Sequence, residues 1–208
     1  MGEVRGRLAI GVIPTVAAID VPATLRRFHD KHPVVRIKLR VGASDALTQQ
    51  IAAGELDVAF LGLPDRLEPA GVRSKVLNRD RHVAVVPASH PLADRPEVTL
   101  AELADSAFAD FPHGSPGRAQ SDQAFAASEV RRDVAFEVTS AELMIGLIRQ
   151  GLAVGMLPSA YVDTAPDLAL LPVVDGPRRI EYLAWSDFNP SPATRAFLDV
   201  LEVEPAAS

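Results

Sequence analysis

Leu8-Ala9-Ile10-Gly11-Val12-Ile13-Pro14-Thr15 is an apolar run that breaks into a short polar turn, and a helical pattern follows it. The same device recurs at Val41-Gly42-Ala43-Ser44 and at Leu61-Gly62-Leu63-Pro64. A second set begins at Phe111-Pro112-His113-Gly114-Ser115-Pro116-Gly117 and recurs at Glu137-Val138-Thr139-Ser140. Each copy puts small polar residues and free backbone N–H groups at the C-terminal end of a strand. That is where open α/β sheets bind ligands. Two such sets in 208 residues point to two lobes facing a shared cleft.

Working outward, Leu8 to Val12 reads as a buried strand and the next helix runs to about Lys31, with Asp20 as its cap and Pro22 in its first turn. Val35 to Val41 alternates apolar and basic residues, the pattern of a half-exposed strand. Ser44 is expected to cap a helix that ends at Gly54, and Asp57 to Leu61 is an apolar strand. The order is βαβαβ with parallel pairing. Val72 to Leu77 and His82 to Val86 read as two further strands. Thr99–Glu102 and Thr139–Glu142 fit capping boxes. Between them lie a strand over Ala107 to Phe111, a helix over Pro116 to Ser128 and a strand over Asp133 to Val138. Ala153 to Leu157 is apolar on both sides, as a central parallel strand requires. Strands over Leu168 to Val173 and Ile180 to Trp185 precede a last helix that starts at Ser191-Pro192. Crossings near Val86-Pro87 and Trp185-Ser186 divide the chain into one lobe of residues 7–86 plus 186–208 and a second of residues 87–185.

Composition narrows the function. The formal net charge is -6, whereas a chain that grips phosphate backbones is usually basic, although a mean does not exclude a local basic face. There is no cysteine, so disulfides, thiolate catalysis and Cys-ligated zinc are excluded. No apolar run is long enough to span a bilayer, and residues 1–7 lack a signal-peptide core, so the expected location is the cytoplasm. Neither a phosphate loop nor a dinucleotide fingerprint occurs, and His29 and His32 have no third ligand beside them. No cofactor or metal is expected.

Five segments carry a family resemblance. They are Gly6-Arg7-Leu8-Ala9-Ile10-Gly11 leading to Thr15, Leu25-Arg26-Arg27-Phe28 closed by His32-Pro33, Gly54-Glu55-Leu56-Asp57-Val58-Ala59, Val86-Pro87-Ala88-Ser89-His90-Pro91-Leu92, and Gly151-Leu152-Ala153-Val154-Gly155-Met156-Leu157-Pro158. In this order and spacing they resemble the effector-binding domain of LysR-type transcriptional regulators. The resemblance implies an α/β fold of two Rossmann-like lobes joined by a two-strand hinge, similar to type 2 periplasmic binding proteins. It also implies a small-molecule effector in the interlobe cleft, a homodimer or homotetramer, and DNA contact only through an N-terminal winged helix-turn-helix outside this sequence. On this reading the chain is not an enzyme. A solute-binding protein of a transporter and a two-lobe enzyme are the rival readings.

The candidate ligand-binding residues follow from the strand-end turns: Pro14, Thr15, Ser44, Leu61 and Gly62 in the first set, and Phe111, His113, Gly114, Ser115, Arg118, Thr139 and Ser140 in the second. Thr15 is expected beside the first helix N-terminus, where its hydroxyl and nearby N–H groups suit an anion. Arg118, one turn into its helix, is placed to meet a carboxylate bidentately. Asp110, His113 and Ser115 are triad residue types, but they lie on one loop without the Gly-x-Ser-x-Gly elbow. Arg26-Arg27 and Arg131-Arg132 read as solvated faces, and Leu25 and Phe28 as core.

Overall fold

The opening run forms β1 (Gly6–Val12) in the computed structural model, which describes residues 4–162, 167–188 and 190–202. Continuing along the chain are α1 (Val21–Lys31), β2 (Val35–Val41), α2 (Ser44–Ala52), β3 (Val58–Pro64), β4 (Arg73–Pro87), α3 (Leu100–Leu103), β5 (Ala107–Asp110) and α4 (Pro116–Ala127). The remainder is β6 (Asp133–Glu137), α5 (Ala141–Arg149), β7 (Gly155–Pro158), α6 (Ser159–Val162), β8 (Leu168–Pro172), β9 (Arg178–Trp185) and α7 (Pro192–Val200). Among the described residues no helix is long and apolar enough to cross a membrane.

The chain forms two compact units. One comprises Met1–Leu63, Leu67–Asn78 and Glu181–Ser208, and the other Pro64–Arg66 and Arg79–Ile180. The changes of unit on β4 and β9 therefore fall at Asn78/Arg79 and Ile180/Glu181, within the strands, where the sequence reading set them near Val86-Pro87 and Trp185-Ser186.

In the first unit β1 pairs in parallel with β2 and with β3, as the βαβαβ reading expects. Leu8, Ile10 and Val12 on one face of β1 meet Phe28 of α1 and Phe197 of α7 in a single core with Trp185. The Phe28 and Phe197 rings stand edge to face, 5.4 Å apart, a geometry that adds quadrupole attraction to area burial. The other face of β1 is covered by α2, which approaches so closely that a Cβ on Gly11 would lie 2.7 Å from Leu47 Cδ2. Asp57 locks this arrangement. Its carboxylate accepts the Ala9 N–H at 2.7 Å and the Thr194 hydroxyl at 2.9 Å.

In the second unit, residues Val83 to Val86 of β4 alternate between two cores. Ala84 and Val86 pack with Phe108, Phe125, Val154 and Leu171, while Val83 and Val85 pack with Met144, Ile148, Leu157 and Val162. A strand covered on both faces needs a continuous apolar run, and His82-Val83-Ala84-Val85-Val86 is buried throughout. β4 pairs antiparallel with β7 and with β8, and β5 pairs in parallel with β6.

Several readings need correction. The two strands expected over Val72–Leu77 and His82–Val86 are one strand of 15 residues. The polar stretch Asn78–Arg81 interrupts the apolar pattern without breaking the backbone, because no glycine or proline sits there. Leu61 and Gly62 lie inside β3, which continues to Pro64, and do not form a turn. β7 is central but mixed, bridging β5 in parallel through Val154 and running antiparallel to β4. The capping box at Thr99–Glu102 is present, whereas α5 is capped one residue later than expected, by Ser140 accepting from Leu143 N–H.

Candidate functional site

Parallel pairing gathers the first candidate set within the first unit. Val12 stands opposite Val41 of β2 and Phe60 of β3, so Pro14-Thr15 and Ser44, which follow β1 and β2, lie at the same edge as Leu61-Gly62 in the last part of β3. Thr15 is only 6% exposed. It does not sit at the N-terminus of α1, however. That helix starts at Val21 and is capped by Asp20, whose side chain accepts the Ala23 N–H. The loop donors Ala17 N–H and Ala18 N–H are taken instead by the Glu181 carboxylate, at 3.1 and 3.0 Å. The β1–α1 turn thus already holds one anionic group supplied by the chain itself.

Ser44 also behaves differently from a cap. The N-cap of α2 is Ala43, which offers no side-chain hydrogen bond. The buried Ser44 hydroxyl donates to the Gly62 carbonyl and accepts the Gly62 N–H, both at 3.0 Å. It satisfies both backbone groups of a residue at the end of β3, where a buried orphan would cost ~1–3 kcal/mol. The first-turn N–H groups of α2 are consequently without a side-chain cap at this edge, which favours a negative group nearby.

The second set is gathered in the same way inside the second unit. Asp110 stands opposite Glu137, and Val138 N–H donates to the Asp110 carbonyl at 2.9 Å. The loop Phe111–Ser115 and the pair Thr139-Ser140 therefore share one sheet edge. Ser115 caps α4 by accepting the Arg118 N–H, and Gly114 adopts a φ of +79° that a side chain would strain. Phe111 and His113 lie on this loop, and Thr139 precedes the Ser140 cap.

Arg118 is held in a network of the unit's own carboxylates. Its guanidinium bonds Asp122 at 2.9 Å, Glu137 at 3.1 Å and the Phe111 carbonyl at 3.3 Å. Arg132, read from sequence as solvated, is a second centre of the network, with a side chain only 4% exposed. It contacts Asp110 at 2.6 Å and Asp122 at 2.8 Å, and its guanidinium lies 5.1 Å from the Phe108 ring centre and 4.9 Å from that of Phe125. Its Nε and Nη1 have no hydrogen-bond partner, and the ring faces supply the cation–π attraction in their place. Burial pushes the Asp110 carboxyl up from its ordinary value against the pull of Arg132. For Asp122 burial acts the same way, but the hydrogen bonds from Arg132 and Arg118 outweigh it and hold the carboxyl low. Asp110 is thus structural, a buried anchor for two arginines, and among the described residues it makes no hydrogen bond to His113 or Ser115.

Sequence reasoning missed Glu181, Asp57 and Asp110 as organising residues. The one visible signal for Glu181 is a charged residue inside the apolar strand Ile180 to Trp185.

Two α/β units, each bringing polar strand-end turns to one sheet edge, define a small-ligand-binding class of fold. Residues 1–204 match the family described as LysR substrate binding domain, and the chain belongs to that family. It has the type 2 periplasmic-binding-protein-like fold of LysR effector-binding domains. Among solved structures, it is similar to the regulatory domain of Synechocystis PCC6803 CcmR in complex with 2-PG, with a TM-score of 0.82, 25% identity, and coverage of 95% of this chain and 96% of that one. The effector binding domain of QuiR in complex with shikimate shares the fold, at a TM-score of 0.78, 24% identity and coverage of 95% of each chain. Among curated proteins, the HTH-type transcriptional regulator SsuR of Burkholderia cenocepacia is 27% identical over 80% of this chain and 54% of its own length. The transcriptional dual regulator GltC of Bacillus subtilis is 28% identical over 78% of this chain and 54% of its own. The chain spans about half the length of these relatives.

Proposed function

We propose that this chain is the sensing part of a LysR-type transcriptional regulator. It takes up a small anionic metabolite through the strand-end turns of its two units and passes the change on within a homodimer or homotetramer. DNA is held by a separate N-terminal domain, and the protein works in the cytoplasm without chemical conversion of the ligand. The observation that carries this reading is the family match over residues 1–204. The geometry inside each unit supports it, because Thr15, the α2 N-terminus and Gly62 share one edge in the first, and Phe111–Ser115 and Thr139-Ser140 share one edge in the second. Helix N-termini at those edges favour carboxylates or other anions, each contact contributing about 0.3–1 kcal/mol when exposed. An effector can shift a regulator only by its affinity difference between two states, so tight binding alone is not enough.

Isothermal titration against a panel of small carboxylic and phosphorylated acids tests the reading. One member should bind saturably and be recovered unchanged, and Thr15→Val should weaken it by roughly tenfold, the loss of one hydrogen bond to a charged group. Turnover of the ligand, or binding that ignores both Thr15→Val and Ser115→Ala, refutes it.

A further inference from the structure

Glu181 is the one charged residue in the buried run Ile180 to Trp185 of β9, and it is 1% exposed. A carboxylate taken out of water is costly to the fold unless hydrogen bonds replace the solvent it loses. Two of those bonds come from consecutive residues of the turn after β1. Ala17 N–H and Ala18 N–H both donate to Glu181 Oε2, at 3.1 and 3.0 Å, across 164 and 163 positions of sequence.

The strand explains how Glu181 reaches the turn. Glu181, Leu183 and Trp185 are two apart on β9, so their side chains leave the same face. Leu183 and Trp185 lie in the core that also holds Phe28 of α1, and Val16 and Ile19 of the turn pack against that core. Glu181 continues the row to the point where the turn passes over it. The turn is thereby fixed along its length. Ile13 N–H donates to the Phe60 carbonyl of β3 at 3.3 Å, Val16 N–H donates to the Ile13 carbonyl at 3.3 Å, and Glu181 holds Ala17 and Ala18. Thr15 sits inside this bracket, two residues before Ala17, and rigid peptide planes carry any shift of Ala17 to it. A side chain within the turn would satisfy such N–H groups locally, as Asp20 does for Ala23. The chain instead uses the residue at which β9 passes from the second unit into the first, between Ile180 and Glu181.

We infer that Glu181 is a positioning residue for the effector turn, an assignment that rests on the reading of Pro14-Thr15 as part of the effector site. It sets where Thr15 stands without touching the effector, and it ties the turn to β9 at the residue where the chain enters the first unit. An effector that bonds Thr15 selects one setting of the turn, and Glu181 passes that selection to β9. By linkage, whatever fixes β9 changes affinity at the turn by the same factor.

Amide exchange resolved by NMR on the full chain, compared among wild type, Glu181→Ala and Glu181→Gln, tests this. Glu181→Ala should speed exchange at Ala17 and Ala18 by tenfold or more while β1, β2 and β3 keep their protection. Glu181→Gln, whose amide oxygen replaces Oε2 as acceptor, should keep most of the slow exchange. Glu181→Asp, one methylene short of the turn, should behave like Glu181→Ala and takes its place if that variant fails to fold. Malonate, salicylate and glycerol 3-phosphate serve as binding probes. A probe that saturates the wild-type chain should lose about tenfold in affinity with Glu181→Ala and recover most of it with Glu181→Gln. The same probe should shift the β9 amide resonances of the wild type and not those of Glu181→Ala. Unchanged exchange at Ala17 and Ala18, protection lost throughout the first unit in every variant, or probe affinity indifferent to Glu181→Ala overturns the assignment. If none of the probes binds the wild-type chain, exchange at Ala17 and Ala18 still decides for or against Glu181, and the failure falls on the effector reading instead.

Discussion

Mild acid should destabilise this protein well before its carboxylates protonate, and His82 is the reason. Its side chain is 5% exposed at the head of the buried run of β4, and Nδ1 has no hydrogen-bond partner. Burial, reinforced by the charge of Arg179, lowers its pKa from 6.5 to about 3, against the opposing pull of the Pro177 carbonyl and Asp80. The folded protein therefore keeps His82 neutral while the unfolded chain takes up a proton below about pH 6.5. Stability is complete above that pH and falls by about 1.4 kcal/mol per unit until the folded state also protonates near pH 3. At pH 5 the loss is about 2 kcal/mol, a large share of a typical ~5–15 kcal/mol. Carboxylates held low, such as Asp122 and Asp167, lose their contribution only as pH falls below the ordinary carboxylate range, ~4. Between pH 7 and 5 the histidine leads, with a smaller contribution in the same direction from the partly buried His90 and an opposing one from Asp110, whose carboxyl burial raises. Urea unfolding followed by circular dichroism at pH 7, 6 and 5 measures the slope. His82→Leu should remove most of it. A wild-type protein equally stable at pH 7 and 5, or a His82→Leu variant with an unchanged slope, refutes the reasoning.

Ser44→Ala should cost ~1–3 kcal/mol in urea unfolding, because it orphans both backbone groups of Gly62. A variant as stable as wild type shows that water replaces the hydroxyl. Arg132→Met should cost ~3–5 kcal/mol by stranding the buried Asp110, and Asp110→Asn added to it should recover part of the loss in a double-mutant cycle. Additive losses contradict the coupling. Phe197→Ala should cost ~3–5 kcal/mol in the same measurement, since the ring is fully buried against Phe28.

Local chemistry was readable from the chain wherever it acts over a few residues. Asp20 caps α1, Thr99 and Glu102 form their box, and Ser191 with Pro192 starts α7. The parallel order of β1, β2 and β3 followed from the alternation of strand and helix patterns. What stayed hidden depends on partners far apart in the chain. Glu181 reaches the turn after β1 across 164 and 163 positions, and Asp57 reaches Thr194 across 137. Ser44 looks like a cap from its neighbours, and only the arrival of Gly62 shows where its hydroxyl goes. Arg118 and Arg132 read as available cations because nothing in their spacing reveals that Asp110, Asp122 and Glu137 converge on them.

The division of the chain has a consequence for synthesis. The second unit is complete once Ile180 has left the ribosome, whereas the first waits for Trp185 and Phe197. Until those two rings arrive, β1 and β3 hold Leu8, Ile10 and Phe60 without their lid, and a nascent chain in that condition is an apolar surface in search of cover. A chain cut before Phe197 would thus spare the second unit and leave the first unfinished.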